Sequence, residues 1–154
     1  MKHIPIIIDT DPGVDDALSL ITILKSPKRF DIKLIASVAG NVNIDHTTKN
    51  VLYLVENFNA NVKVARGAEG PLVKEYVDAS DVHGSGGFGN FTVANLFKQL
   101  DYTDATEAYV EVLTKSKKPV YILAFGPLTN IAKLIKDHSE VLPKIKRIYT
   151  MSGS

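Results

Sequence analysis

The sequence predicts an α/β fold with an open, mostly parallel sheet and helices on both faces. Short apolar runs, many of them rich in β-branched residues, alternate with segments in which apolar residues recur at helical spacing. Strands that alternate with helices pair in parallel through right-handed crossovers. The 154 residues suffice for one domain with a substantial core but not for two.

Composition narrows the class of protein. Hydrophobic content of 45% and charged content of 23% are ordinary for a globular domain. The 18 basic and 17 acidic side chains nearly cancel, so we expect no nucleic-acid partner. The chain has no cysteine, which fits a cytoplasmic location. No apolar run approaches the ~20 residues of a membrane span, so we expect no membrane contact.

A cluster of carboxylates follows the first predicted strand, residues 4–8. Four aspartates fall within the next eight positions, and a Pro-Gly pair separates the first two from the last two: Asp9, Asp11, Asp15 and Asp16. From Ala17 onward apolar residues recur at helical spacing, so the second pair opens a helix. The local structure is therefore predicted to be strand, acidic turn and helix.

This acidic turn is predicted to bind a divalent cation. In open α/β sheets the ligand crevice lies at the carboxyl ends of the strands. The helix macrodipole favours negative charge at Asp15 and Asp16, so we expect the carboxylates to be ionised at neutral pH. Anions this close repel one another unless a cation or a set of hydrogen-bond donors sits among them, and carboxylate oxygens favour Ca²⁺ or Mg²⁺ over zinc. Helix capping explains one such aspartate but not four.

The remaining elements continue the alternation. Further strands are predicted at residues 32–38, 62–65, 119–125 and 148–151. A helix is predicted over residues 45–57, and another from Asp104, which stands at capping-box spacing from Glu107, to about residue 116. Pro127 is predicted just inside the last helix.

Two polar features are candidates for substrate contacts. Asn41 follows the second strand, where Gly-Asn is also ordinary turn chemistry. Between residues 66 and 90 the periodicity is lost in a glycine-rich connection that lacks the Gly-Lys-Ser/Thr ending of a phosphate loop. Connections this long are usually functional or disordered. His83, which lies in it, is either an ordinary exposed side chain or is carried over the site by a mobile flap.

The segment Asp-Thr-Asp-Pro-Gly-Val-Asp-Asp-Ala at residues 9–17 resembles the signature of the inosine-uridine-type nucleoside hydrolases, which are calcium-dependent N-ribohydrolases. Residues 39–41, 82–84, 126–130 and 151–153 match further family segments in the same order. The resemblance covers residues 1–154 as the N-terminal portion of a single nucleoside hydrolase domain. It implies a truncated Rossmann-like sheet of the nucleoside hydrolase type.

The resemblance implies a Ca²⁺ cofactor and names its ligands. Asp11 matches the metal ligand that also acts as general base, and Asp16 matches a second ligand. The backbone carbonyl of Phe125 matches a third, and Asp9 matches a supporting residue.

The resemblance also implies a ribonucleoside substrate, hydrolysed at its N-glycosidic bond to ribose and base in nucleoside catabolism and purine salvage. Asp15 and Asn41 match residues that hold ribose hydroxyls. His83 matches a residue near the base, and Met151 one under the sugar.

Family members continue through a second portion that supplies another metal-ligating aspartate, a neighbouring histidine and the groups that hold the ribose 5′-hydroxyl. We therefore expect this chain alone to be inactive or nearly so. We also expect it to act as a homo-oligomer or with a complementing C-terminal chain.

Two other functions are compatible with parts of the sequence. Residues 6–11 also resemble the opening of a haloacid-dehalogenase-type phosphatase, with Asp9 as nucleophile, Asp11 as acid/base and Mg²⁺ as the metal. That family expects Thr or Val where Gly13 stands, and it does not explain Asp15 and Asp16. The third reading is a non-catalytic, truncated domain that self-associates through uncovered strand edges.

Overall fold

The computed structural model describes residues 3–152. Its described strands form one parallel sheet in the order β3-β2-β1-β4-β5, which confirms the predicted α/β class. The strands are β1 Ile4–Thr10, β2 Phe30–Ser37, β3 Val64–Ala65, β4 Val120–Ala124 and β5 Ile145–Thr150. The helices are α1 Val14–Leu24, α2 Ile44–Asn57, α3 Ser80–His83, α4 Ala105–Lys115 and α5 Thr129–Asp137, with a 3₁₀ segment at Ser139–Lys144.

Both faces of the sheet are covered because side chains alternate along each strand. Ile6 and Ile8 on β1 share a core with residues of α1 and α2. Ile7, between them, shares the opposite core with residues of α4 and α5. All three side chains are at most 1% exposed, and complete burial of such a side chain stabilises the fold by ~1.5–3 kcal/mol.

The strand order reverses at β1. The chain runs outward from β1 through β2 to β3 on one side, then returns to place β4 and β5 on the other side. The gap above the carboxyl ends of β1 and β4 is therefore a topological switch point, where ligands of open α/β sheets bind. The acidic turn follows β1 directly.

β1 and β5 are each two residues longer than predicted. β1 continues past residue 8 because Asp9 stays in register with Ala36 on one neighbour and Ala124 on the other. β5 begins at Ile145 rather than at residue 148. Lys146 and Arg147, both exposed, mask the start of that strand in the sequence.

The predicted position of Pro127 inside the last helix is wrong. α5 begins two residues later, at Thr129, and Leu128 occupies the N-cap position. The residues between β4 and α5 line a cavity at the strand ends, so the chain turns there before it becomes helical.

The cap of α4 agrees with its prediction. The Asp104 carboxylate accepts hydrogen bonds from the backbone N–H groups of Thr106 and Glu107, at 2.6 and 3.2 Å. The connection between β3 and α4 contains only the short helix α3 among its described residues. Within residues 3–152, no helix combines the length and apolar character needed to cross a membrane.

Candidate active site

A cavity of about 370 Å³ lies at the carboxyl end of the sheet. It is bordered by segments that follow β1, β2, β4 and β5, and its lining includes five of the predicted site residues: Asp11, Asp15, Asn41, Phe125 and Met151. They are far apart in sequence but meet here because parallel strands end at the same edge of the sheet. The last matching segment, residues 151–153, includes Gly153, which lies outside the described residues.

Asp11 is held by the backbone of two neighbouring turns. Its Oδ2 accepts a hydrogen bond from the backbone N–H of Asn41 at 2.8 Å. Gly40 and Gly126 pack so closely against the carboxylate that a Cβ on Gly126 would lie 2.5 Å from Oδ1. A side chain at either position would displace Asp11, which gives a physical reason for glycine in both loops.

Asn41 joins the two halves of the acidic turn. Its Nδ2 donates hydrogen bonds to the backbone carbonyl of Asp11 and to Oδ2 of Asp16, both at 3.0 Å. The same Oδ2 of Asp16 accepts from the backbone N–H of Gly13 at 3.2 Å. Both N–H groups of the Asn41 carboxamide are thus used within the turn, which leaves its Oδ1 to accept from a ligand.

Asp9 lies beneath the cavity and is fully buried. Its Oδ2 accepts hydrogen bonds from the Tyr109 hydroxyl at 2.7 Å and from Nδ2 of Asn130 at 3.0 Å. Burial raises the pKa of Tyr109, so the phenol stays protonated and donates. Asp9 Oδ1 and the Thr10 hydroxyl are buried and find no hydrogen-bond partner among the described residues. Asp9 is therefore anchored to α4 and α5 and does not line the cavity.

Sequence reasoning missed Asn130 and Tyr109. Asn130 donates to the Ser37 carbonyl at 2.9 Å and accepts from the Ala68 N–H at 2.8 Å, so it links the ends of β1 and β2 and the loop after β3. It belongs to the matching segment 126–130, which could have pointed to it. Tyr109 carried no signal beyond its place on the apolar stripe of α4.

The expectation that all four carboxylates are ionised at neutral pH is wrong for Asp9 and Asp16. Burial raises the pKa of both from 3.8 to about 7, so each is partly protonated at pH 7. Burial raises the pKa of Asp11 to about 6, and the nearby charge of Asp15 adds to the rise. Desolvation of the charged form outweighs the favourable helix dipole on which the expectation depended.

The chemistry of this oxygen set fits a hard divalent cation. Asp11 and Asp16 each have one carboxylate oxygen committed to hydrogen bonds and the other, Oδ1, without one. The residue Phe125, whose carbonyl is the third predicted ligand, lines the same cavity. A cation would also offset the burial, and the smaller mutual repulsion, that raise the carboxylate pKa values.

The ligand set is incomplete in number. Calcium takes six to eight oxygens. Within residues 3–152, no three acidic, histidine or cysteine side chains converge closely enough to form a metal site by themselves. A cation bound here would therefore need further oxygens from water, substrate or additional protein.

His83 lies beside the acidic turn rather than in the cavity lining. It is the last residue of α3, and its Nδ1 accepts a long hydrogen bond, 3.4 Å, from the backbone N–H of Val14 at the start of α1. The ring also packs against Gly13. Its predicted proximity to a base and the predicted mobility of its loop stay predictions.

A larger cleft, of about 710 Å³, lies at the opposite end of the sheet. It lies between the amino ends of β1, β2 and β3 and the carboxyl end of α4, and five lysines line it: Lys33, Lys63, Lys115, Lys117 and Lys118. We place the functional site at the smaller cavity because the buried Asp11 lines it, Asp16 bonds to Asn41 in the same lining, and the topological switch point lies there.

The fold and this site define an α/β protein with a pocket lined by aspartates at its switch point. The chain belongs to the family described as inosine-uridine preferring nucleoside hydrolase, whose profile matches residues 6–154. The alternative assignment to the haloacid-dehalogenase-type phosphatases is therefore wrong.

Named relatives agree with the family. The chain is 40% identical over 152 residues to the non-specific ribonucleoside hydrolase RihC of Klebsiella pneumoniae, covering 99% of this chain and 50% of that protein. The structure of a purine-preferring ribonucleoside hydrolase from Gardnerella vaginalis superposes with a TM-score of 0.88 at 26% identity, covering 97% of this chain and 49% of that one. The structure of a plant nucleoside hydrolase, PpNRh1, superposes with a TM-score of 0.88 at 31% identity, covering 99% of this chain and 49% of that one. The chain therefore spans about half the length of the relatives it matches.

Proposed function

We propose that this chain is the cation-binding half of a calcium-dependent nucleoside hydrolase, which cleaves the N-glycosidic bond of ribonucleosides to ribose and free base. The observation that carries the proposal is the convergence of Asp11, Asp15, Asn41 and Phe125 on one cavity in a chain of this family. The Klebsiella relative is named a ribonucleoside hydrolase, which supports the same substrate class here.

Asp11, Asp16 and the Phe125 carbonyl would hold the ion. When bound, Ca²⁺ supplies a positioned water of lowered pKa. Asp11 would act as general base through Oδ1, since its Oδ2 is already engaged with the backbone N–H of Asn41. The fixed Oδ2 would keep the carboxylate from rotating.

The remaining cavity residues suit a ribose ring. Cleavage of a glycosidic bond passes through an oxocarbenium-like transition state, so the sugar must be gripped while the base departs. Asp15 accepts from sugar hydroxyls, and Asn41 accepts through its free Oδ1. Met151 would offer an apolar floor beneath the ring. His83, which contacts the start of α1, would lie near the base.

The missing half of the site would come from a C-terminal continuation, a complementing chain or another copy in an oligomer. This follows from the incomplete oxygen set around the cavity. The chain alone is expected to be inactive or nearly so. A cytoplasmic role in nucleoside catabolism and purine salvage stays a prediction.

The proposal can be tested with a fusion of this chain to the half of the Klebsiella relative that it does not match. We expect a folded, monodisperse fusion to release ribose from inosine or uridine only with CaCl₂ present, and Asp11→Asn to abolish the release. Asp137→Asn, an exposed aspartate at the end of α5, is the matched control. A folded fusion that binds calcium yet releases no ribose contradicts the proposal.

A non-catalytic, self-associating domain is the second candidate. The observation that favours it is the outer strand β5, where Tyr149 is 48% exposed and Met151, just beyond the strand, is 59% exposed. β5 pairs with β4 alone among the described strands. Unpaired strand edges that carry apolar side chains promote association.

A further inference from the structure

We propose that Asn50 is a positioning residue that ties the glycine-rich loop to the acidic turn and so fixes His83 beside the site. The glycine-rich loop is residues 84–89, directly after His83. The inference rests on the proposed function for its consequence in catalysis, but its structural part can be tested separately.

The Asn50 carboxamide bridges two segments that are distant in sequence. Asn50 lies on α2 and is 2% exposed. Its Nδ2 donates to the backbone carbonyl of Pro12 in the acidic turn at 3.1 Å, and to that of Gly86 in the glycine-rich loop at 2.8 Å. A carboxamide nitrogen has two N–H groups, so its whole donor capacity joins these two segments.

The loop transmits this anchor to His83. The backbone N–H of Gly89 donates to the His83 carbonyl at 2.7 Å, and that of Gly87 donates to the Gly84 carbonyl at 3.0 Å. The loop is therefore folded back on the residue that it follows. With Gly86 fixed by Asn50, the end of α3 is held where Nδ1 of His83 meets the Val14 N–H.

Packing alone does not account for an asparagine at this position. α2 is already secured to the sheet by apolar residues such as Val51 and Leu54, which are 0% and 4% exposed. An apolar side chain of similar volume would fill the same space without the cost of burying an amide. The amide is explained by its two acceptors, and both belong to segments at the site.

The direct test compares Asn50→Ala and Asn50→Asp with wild type by amide hydrogen exchange and ¹H–¹⁵N NMR. We expect exchange at Gly87 and Gly89 to speed up about tenfold or more, as loss of a buried hydrogen bond implies. We also expect the Val14 amide and His83 ring signals to shift. Asn50→Asp keeps the shape of the side chain but replaces both donors by an acceptor oxygen, so it should speed up exchange at Gly87 and Gly89 at least as much as Asn50→Ala does.

Asn57→Ala is the matched control. Asn57 is an exposed asparagine at the end of the same helix, and its Nδ2 donates to the Tyr53 carbonyl at 2.9 Å. This control should leave the loop signals unchanged. If the Asn50 variants also leave loop exchange and the His83 signals unchanged, the proposal is overturned.

Gly87→Ala keeps the proposal testable if the Asn50 variants do not fold. A Cβ on Gly87 would lie 2.8 Å from Nδ2 of Asn50, 3.0 Å from the Pro12 carbonyl oxygen and 3.1 Å from Val42. Because Gly87 also has a φ of +85°, alanine should push the loop off the amide. Faster exchange at Gly89 and a shifted His83 signal support the proposal, and unchanged signals contradict it.

A second readout in the fusion protein separates positioning from general damage. We expect Asn50→Ala to lower kcat/KM for inosine about tenfold while calcium affinity stays within about threefold, because Asn41 and Gly13 still hold Asp11 and Asp16. Equal losses of calcium affinity and kcat/KM would overturn the positioning role. If the wild-type fusion is inactive, the proposed function fails, and the exchange and NMR results still decide the role of Asn50.

Discussion

At the scale of single residues, the side-chain amides of asparagines hold much of this site in position. Asn41, Asn50 and Asn130 use their carboxamides to join the ends of strands to loops that carry the predicted functional residues. Amides whose donors are all paired are held in one position, since each broken hydrogen bond leaves a desolvated polar group. Hydrogen bonds from these amides and close contacts with glycine backbones, rather than cationic side chains, hold the carboxylates in position.

The hydroxyl of Tyr109 is expected to stabilise the fold through Asp9. Tyr109→Phe removes the 2.7 Å hydrogen bond to a fully buried carboxylate that already has one unpartnered oxygen. We expect the free energy of unfolding to fall by ~1–3 kcal/mol. Urea denaturation measures it, and Tyr149→Phe, at an exposed ring on β5, is the control. Equal stability of the two variants would show that the hydroxyl contributes nothing.

Sequence reasoning located the residues that line the cavity better than those that support them. Asp11, Asp15 and Asn41 stand in polar segments directly after apolar strands, where the end of a parallel sheet brings them together. Asn50 and Tyr109 lie inside regular amphipathic helices, where one buried polar side chain does not alter the apolar period. Their partners are 38 and 100 residues away, a distance that local patterns do not encode.

At the scale of elements, the aspartates in and beside the acidic turn are harder to ionise in the folded protein than in the unfolded chain. Asp9, Asp11 and Asp16 all have raised pKa values, so the folded protein without a cation binds more protons than the unfolded chain between pH 3.8 and about 7. Their contribution to stability is complete below pH 3.8 and is lost as the pH rises through the folded pKa values. A bound cation would favour the ionised forms and oppose this loss.

We therefore expect a pH dependence of unfolding that calcium changes. With a chelator present, the melting temperature of the wild-type chain should fall between pH 5 and pH 7.5. It should fall more than that of Asp9→Asn, which lacks one of the titrating groups. Calcium should raise the melting temperature at pH 7.5 much more than at pH 5, because only ionised carboxylates bind it well. Scanning calorimetry at both pH values measures this, and a calcium effect that is equal at the two would contradict it.

Helix α5 offers a matched test of how the element is held. Leu134 is fully buried in the core beneath the sheet, whereas its neighbour Ile135 is 47% exposed. Leu134→Ala should lower the free energy of unfolding by ~2–5 kcal/mol, since it leaves a cavity. Ile135→Ala should cost less than about 1 kcal/mol. Similar losses in chemical denaturation would show that α5 does not pack as described.

The order and type of the main elements were predictable because each has a distinct apolar period. The predicted element bounds were wrong where the apolar pattern does not determine the local backbone. Pro127 precedes α5 because the backbone there borders the cavity, and β5 starts early behind two exposed basic residues. α3 is only four residues long, too short for a periodic signal to appear.

At the scale of the whole molecule, the sheet is covered on both faces around β1 but open at β5. We expect the isolated chain to self-associate through this edge, and size-exclusion chromatography at high micromolar concentration should give a dimer or larger species. Tyr149→Lys, which adds charge beside Arg147, should shift the protein toward monomer, whereas Leu18→Lys on α1 should not. A wild-type chain that elutes as a monomer contradicts this expectation.

The proposed function depends on a hard cation bound by the acidic turn at the switch point of the sheet. Calorimetric titration with CaCl₂ tests it most directly. We expect one ion to bind per wild-type chain, and the double variant Asp11→Ala, Asp16→Ala to bind at least about tenfold more weakly. Asp137→Asn should match wild type. A wild-type affinity no better than that of the double variant would contradict the account.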